Sequence, residues 1–162
     1  MPSEAQPQRI YWDACNFLSY INGTSGRLPT LDALFAKASK RDGLVIVTST
    51  LSVTEVAYGQ LEQTGSVLPP EIEEAIDALW ADQSAVTLVE CHELIARRAR
   101  ELRRLAIGRD WSLKTFDAVH LATAEWVRAA EVQTYDAKLP RFASDIGMPV
   151  REPFITQPRL ME

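Results

Sequence analysis

Cysteine and histidine are scarce in this chain, two of each in 162 residues, and that scarcity narrows the available chemistry. Cys15 and Cys91 lie far apart and form no CxxC pair, so neither a disulfide framework nor a zinc site is suggested; both read as reduced thiols in or near a core. No apolar run approaches the roughly 20 residues of a membrane span. The opening stretch, Met1 to Gln8, is polar rather than basic and then apolar, so it does not read as a secretory signal. A cytoplasmic protein with no membrane role is expected. Repeats, low-complexity tracts and linkers are also missing. So is an excess of positive charge: the net charge of −5 argues against coating nucleic acid by bulk electrostatics.

What remains is ordinary globular material. With 46% hydrophobic and 24% charged residues, the chain is large enough for one well-filled core. A single domain is expected over 1–162, with its core at about 9–150 and frayed, Pro-containing tails at 1–8 and 156–162. The charge is uneven. Residues 91–114 carry seven Lys or Arg against three Asp or Glu, whereas residues 1–90 carry five against twelve. A locally basic strip beside an acidic region suits a polyanionic substrate.

Periodicity supplies the architecture. Arg9–Trp12, Leu44–Ser49, Ala85–Val89 and Val132–Tyr135 read as short strands, the second nearly continuous in β-branched and apolar residues, as for a parallel strand covered on both faces. Helical stripes lie between them: Leu31, Leu34, Phe35 and Ala38; Val53, Val56, Ala57 and Leu61; and Ile72, Ala75, Ile76 and Leu79 after Pro69-Pro70. His92 to Ile107 predicts a long helix ended by Gly108. Lys114 to Ala130 predicts another, apolar nearly all round and therefore central. Strands alternating with helices imply an α/β fold in three layers, α/β/α, around a mostly parallel sheet of four to five strands.

Four acids stand where a globular chain gains little from a carboxylate. Asp13 closes Ile10-Tyr11-Trp12, and Glu55 follows the second strand after a polar turn. Asp117 opens the stretch Ala118 to Val127, and Asp136 ends Val132-Gln133-Thr134-Tyr135. In a parallel sheet, sites form beyond the carboxyl ends of the strands where the strand order reverses, and Asp13, Glu55 and Asp136 all fall near such ends. Each acid also has a plain role open to it. Ser52-Val53-Thr54-Glu55 is a capping box, Asp117 complements a helix N-terminus, Asp136 suits a turn or N-cap, and Asp13 an N-cap. Their joint occurrence favours a site, and four gathered carboxylates call for a cation.

The same stretches resemble a known family. Ile10-Tyr11-Trp12-Asp13-Ala14-Cys15-Asn16-Phe17-Leu18, Thr48-Ser49 leading to Thr54-Glu55-Val56, Leu113 to Ala124 around Thr115-Phe116-Asp117-Ala118-Val119-His120, and Thr134-Tyr135-Asp136-Ala137-Lys138-Leu139 look like the ordered motifs of PIN-domain ribonucleases, especially VapC-type toxins of toxin–antitoxin pairs. The resemblance spans roughly residues 9–150. It implies a PIN-like fold, Mg²⁺- or Mn²⁺-dependent endoribonuclease activity on RNA, a homodimer and a cognate antitoxin protein. It assigns Asp13, Glu55, Asp117 and Asp136 to the catalytic acidic pocket, with Thr134 as a supporting hydroxyl. One departure stands out: the family often has Ser or Asn two residues after the first Asp, whereas Cys15 is there and the supporting amide falls to Asn16.

The ligand types agree with that implication, because an all-oxygen set favours Mg²⁺ or Mn²⁺ over zinc. Asp13 and Asp117 read as the principal ligands, with Glu55 and Asp136 binding through water or orienting the nucleophile. Arg97, Arg100 and Arg104 share one helical face suited to RNA phosphates, although Glu93 and Glu101 offer Arg97 and its neighbours ordinary pairing. His120 reads as a satisfied helix histidine near the pocket and His92 as a surface or cap residue. Trp12, Trp80, Trp111 and Trp126 read as core or dimer residues. Two phosphate-handling classes fail on the residues present: a haloacid-dehalogenase-like phosphatase needs Asp-x-Asp, and a receiver domain needs adjacent acids near its first strand. The alternative that remains is a catalytically inactive PIN module binding RNA or protein.

Overall fold

The computed structural model describes residues 5–57, 65 and 67–156. In chain order the elements are β1 Gln8–Trp12, α1 Ala14–Ile21, α2 Leu28–Ser39, β2 Leu44–Ser49, α3 Leu51–Ala57, α4 Pro70–Ala81, β3 Val86–Val89, α5 Glu93–Gly108, α6 Thr115–Trp126, β4 Glu131–Gln133, a 3₁₀ turn Leu139–Phe142, α7 Ala143–Ile146 and β5 Val150–Arg151. All strand pairs are parallel, in the order β3-β2-β1-β4-β5. The three-layer α/β/α architecture read from the sequence is therefore the one observed.

Alternation along β1 builds the two halves of the core. Ile10 and Trp12 point into the layer of α1, α2 and α4, together with Phe17, Leu31, Ile46 and Leu79. Tyr11 points into the opposite layer, among Ile95, Leu102, Leu121 and Val132 of α5, α6 and β4. Successive side chains on a strand face opposite ways, and β1 is central, so Ile10 to Trp12 are buried on both faces while Gln8 and Arg9 at its start are exposed. Helix α6 is covered most completely, with Ala118 through Ala124 all buried, as its all-round apolar pattern predicts.

Several boundaries differ from the sequence reading for identifiable reasons. The fourth strand stops at Gln133 rather than Tyr135 because its ladder partner ends there: Trp12 pairs with Gln133, and the next residue, Asp13, turns into α1. Helix α6 stops at Trp126 in a Schellman motif. The Arg128 N–H donates to the Glu125 carbonyl and the Ala129 N–H to the Ala124 carbonyl, with Arg128 itself at φ 52. Helix α5 ends in the same way, but Asp110 (φ 56) rather than Gly108 takes the left-handed position. Helix α1 has no counterpart among the expected elements, and Leu61 of the third stripe lies outside the described residues.

Candidate active site

Strand order reverses between β1 and β4, and the site forms at that crevice. Asp13 is the residue at which β1 stops. It occupies the N-cap position of α1, yet its carboxylate makes no capping hydrogen bond. The side chain is buried and engaged sideways, accepting from Thr134 Oγ1 at 2.5 Å and from Cys15 Sγ at 2.8 Å. Burial raises its pKa above the usual carboxylate range, opposed in part by His120 and by these donors. The Thr134 hydroxyl also accepts the Asp136 N–H at 3.1 Å. One hydroxyl thus links the first acid to the loop bearing the fourth.

Asp136 shows both of its readings. Its Oδ1 accepts the Lys138 N–H at 2.9 Å, which is a turn role, while its charge also reaches Asp117. Asp117 is the third residue of α6. A helix N-terminus ordinarily favours a carboxylate, yet its pKa is pushed up to about 6, first by burial and then by the charges of Asp13, Asp136 and Glu55, with His120 opposing. All four acids thus share one electrostatic neighbourhood.

The capping box does not form. Ser52 is the second residue of α3 rather than its cap, and its Oγ shares a hydrogen bond with Thr48 Oγ1 at 2.6 Å. Glu55 turns instead to His120, whose Nε2 lies 2.5 Å from Glu55 Oε1. On the other side of that ring, Nδ1 meets the Tyr11 hydroxyl at 2.6 Å, and the same hydroxyl accepts the Ser49 N–H at 3.1 Å. A carboxylate only accepts, so Nε2 carries a proton; in the neutral ring, Nδ1 then accepts from Tyr11. His120 and Tyr11 are both fully buried.

Asn16 is also fully buried, and its Nδ2 donates to the Gln133 carbonyl at 2.7 Å. It ties α1 to the end of β4, so any support it gives is to the frame around Asp13. The Cys15 thiol is raised, by burial first and then by the adjacent Asp13 charge. It is thereby kept as a protonated donor rather than a soft metal ligand.

The basic helix divides. Arg97 is bound to Glu93 through Nε at 2.8 Å and Nη2 at 2.6 Å, the ordinary pairing. Arg100, Arg103 and Arg104 border a groove of about 300 Å³ with Thr115 and Val119 of α6, in the turns that also carry Asp117. Among the tryptophans, Trp12 is fully buried and Trp126 is exposed, with the His92 ring against it.

Among the described residues, no group of three or more His, Cys, Asp or Glu side chains is closed into a ready ligand set. Glu55 is held by His120 and Asp13 by Thr134 and Cys15. The donor types nevertheless suit a hard divalent cation: the Asp117 carboxyl is raised first by burial and then by the charges of Asp13, Asp136 and Glu55, and the neighbouring Cys15 thiol is kept neutral.

Comparison with known proteins follows the same lines. The PIN domain family model matches residues 10–145. The chain belongs to the PIN domain family. Solved structures similar to it include VapC20 of Mycobacterium tuberculosis, described as a sarcin–ricin loop cleaving toxin (TM-score 0.62, 17% identity, 86% of this chain and 95% of that one). Another is VapBC2 of Rickettsia felis bound to a DNA fragment from their promoter (0.66, 13%, 90% and 98%). A third is FitAcB of Neisseria gonorrhoeae (0.61, 14%, 89% and 97%). At these identities the likeness is one of fold. No curated protein matches the chain.

Sequence reasoning passed over Tyr11, noted Cys15 only as a departure from the motif without its hydrogen bond to Asp13, and undervalued His120. The spacing Asp117-x-x-His120 was a usable signal, because residues three apart on a helix share a face. Tyr11 had one too: two residues before Asp13 on a strand, it lies on the same side.

Proposed function

We propose that this PIN domain is a Mg²⁺- or Mn²⁺-dependent endoribonuclease that hydrolyses RNA phosphodiester bonds, and that it is the toxin of a toxin–antitoxin pair. The observation that carries the reading is the Asp117 carboxyl, raised first by burial and then by the charges of Asp13, Asp136 and Glu55, beside the strand-order reversal. Acids driven apart by their own charge are stabilised by a shared cation. Asp13 and Asp117 would hold it, with Glu55 and Asp136 binding through water or orienting the attacking water. Such an ion supplies a Lewis acid for a phosphoryl oxygen and a more acidic bound water. The chain's own contributions are positional: Thr134 fixes the Asp13 carboxylate and the Asp136 loop, and Asn16 pins α1 to β4. Arg100 and Arg104, bordering the groove beside α6, would contact RNA phosphates.

A cognate antitoxin and a homodimer belong to the same proposal. Exposed Leu94 and Trp126 are candidates for the dimer contact. A catalytically inactive module that binds RNA or protein is the second reading, favoured by the engagement of Glu55 with His120 and the lack of a closed ligand set among the described residues. Incubating purified chain with labelled RNA, with Mg²⁺ or Mn²⁺ and then with a chelator, separates the two. Cleavage that the chelator stops supports the nuclease; intact RNA under every condition supports the module.

A further inference from the structure

A hydrogen-bond chain, buried at Tyr11 and His120, runs from Ser49 to Glu55 and joins the helices that carry Glu55 and Asp117 to the strand that leads into Asp13. Tyr11 is on β1, two residues before Asp13. His120 is on α6, three residues after Asp117. Glu55 is on α3. The contacts are 3.1 Å from Ser49 N to Tyr11 Oη, 2.6 Å from Oη to His120 Nδ1 and 2.5 Å from Nε2 to Glu55 Oε1. Without it, Glu55 would be a long side chain on the second turn of a short helix, free to sample several rotamers.

We propose that His120 is a positioning residue: through the Tyr11–His120–Glu55 chain it fixes one oxygen of Glu55 and leaves the other for the pocket, and so sets the affinity of the site for a divalent cation. The inference rests on the reading of Glu55 as a metal ligand or holder of a metal-bound water. Carboxylates that bind metals are themselves held by hydrogen bonds, and removing such a partner commonly costs about 10- to 100-fold in metal affinity. Two features argue that the chain serves the pocket rather than the core alone. A histidine needed only for packing would be replaceable by an apolar residue, whereas both ring nitrogens here are committed. The direction is also set at one end, because the Glu55 carboxylate only accepts and so takes its hydrogen bond from Nε2–H.

The test is Mn²⁺ binding to the full chain without RNA, read as free Mn²⁺ by electron paramagnetic resonance, with folding followed by circular dichroism. Wild type, Glu55→Gln, His120→Leu, His120→Gln and Tyr11→Phe are compared. The expected result is an affinity about 10- to 100-fold weaker in His120→Leu, a smaller loss in Tyr11→Phe, and partial rescue in His120→Gln, whose amide still offers a donor. If the His120 variants do not fold, Tyr11→Phe decides alone. Wild-type affinity in the folded His120→Leu and Tyr11→Phe, alongside weakened binding in Glu55→Gln, overturns the inference and spares the nuclease reading. No Mn²⁺ binding in wild type overturns both.

Discussion

A carboxylate that costs stability as long as it is ionised is the plainest mark of function at the scale of the residue. Asp117 has a folded-state pKa near 6 against about 3.9 for an unfolded chain, so the folded state binds the proton more tightly. Its contribution favours the fold below about pH 4 and is lost as pH rises through 6; Asp13, also raised by burial, acts in the same direction. The chelated wild-type protein should therefore lose melting temperature between pH 4 and 7 through these groups. Asp117→Asn should flatten that fall and melt higher than wild type at pH 7, as measured by thermal denaturation against pH. A steeper fall in the variant would contradict the assignment. Thr134→Val tests the hydroxyl between Asp13 and the Asp136 N–H. It leaves the half-buried Asp136 N–H without that partner, so the loss should fall at or below the low end of the about 1–3 kcal/mol that an unmet buried donor costs, measurable by urea denaturation.

Elements show how much of the molecule was legible in its sequence. Strands β1 and β2 were readable because Ile10 to Trp12 and Leu44 to Val47 are unbroken apolar runs, buried nearly throughout. Helix α1 was not, because it begins at an acid that caps nothing and its eight residues are too few for a clear stripe. The end of α6 was misplaced, and the terminating residue of α5 misassigned, for a shared reason: in each a charged residue, Arg128 or Asp110, takes the left-handed position that glycine usually fills. Non-glycine residues pay roughly 1–2 kcal/mol there, partly offset by the lower entropy of the unfolded chain. Arg128→Gly should therefore raise stability by at most about 1 kcal/mol, and a loss of that size in chemical denaturation would show that the Arg128 side chain matters more than its backbone. Among the acids, Asp13 and Asp136 were placed by strand ends, but the inclusion of Asp117 could not be derived, since nothing in the sequence says which end of the sheet α6 enters. For the basic helix, Arg100→Ala with Arg104→Ala should flatten the salt dependence of RNA binding, whereas Arg97→Ala, already paired with Glu93, should change it little. Equal effects would return the groove to ordinary solvated surface.

For the whole molecule, a parallel sheet reverses its order between β1 and β4, the proposed site draws its four acids from around that reversal, and a basic groove borders α6. Among the described residues, no helix is long and apolar enough to cross a membrane. A toxin with this site should arrest growth when strongly expressed, the Asp117→Asn form should not, and a tightly bound antitoxin should restore growth. The most direct test of the central claim is the rate of RNA cleavage by purified, antitoxin-free protein as Mn²⁺ is raised from zero, in wild type and in Asp117→Asn. The account predicts cleavage that appears with the metal in wild type and is lost in the variant, whose circular dichroism stays native. Equal metal-dependent rates in the two proteins, or no cleavage by wild type at any Mn²⁺ concentration, would contradict it.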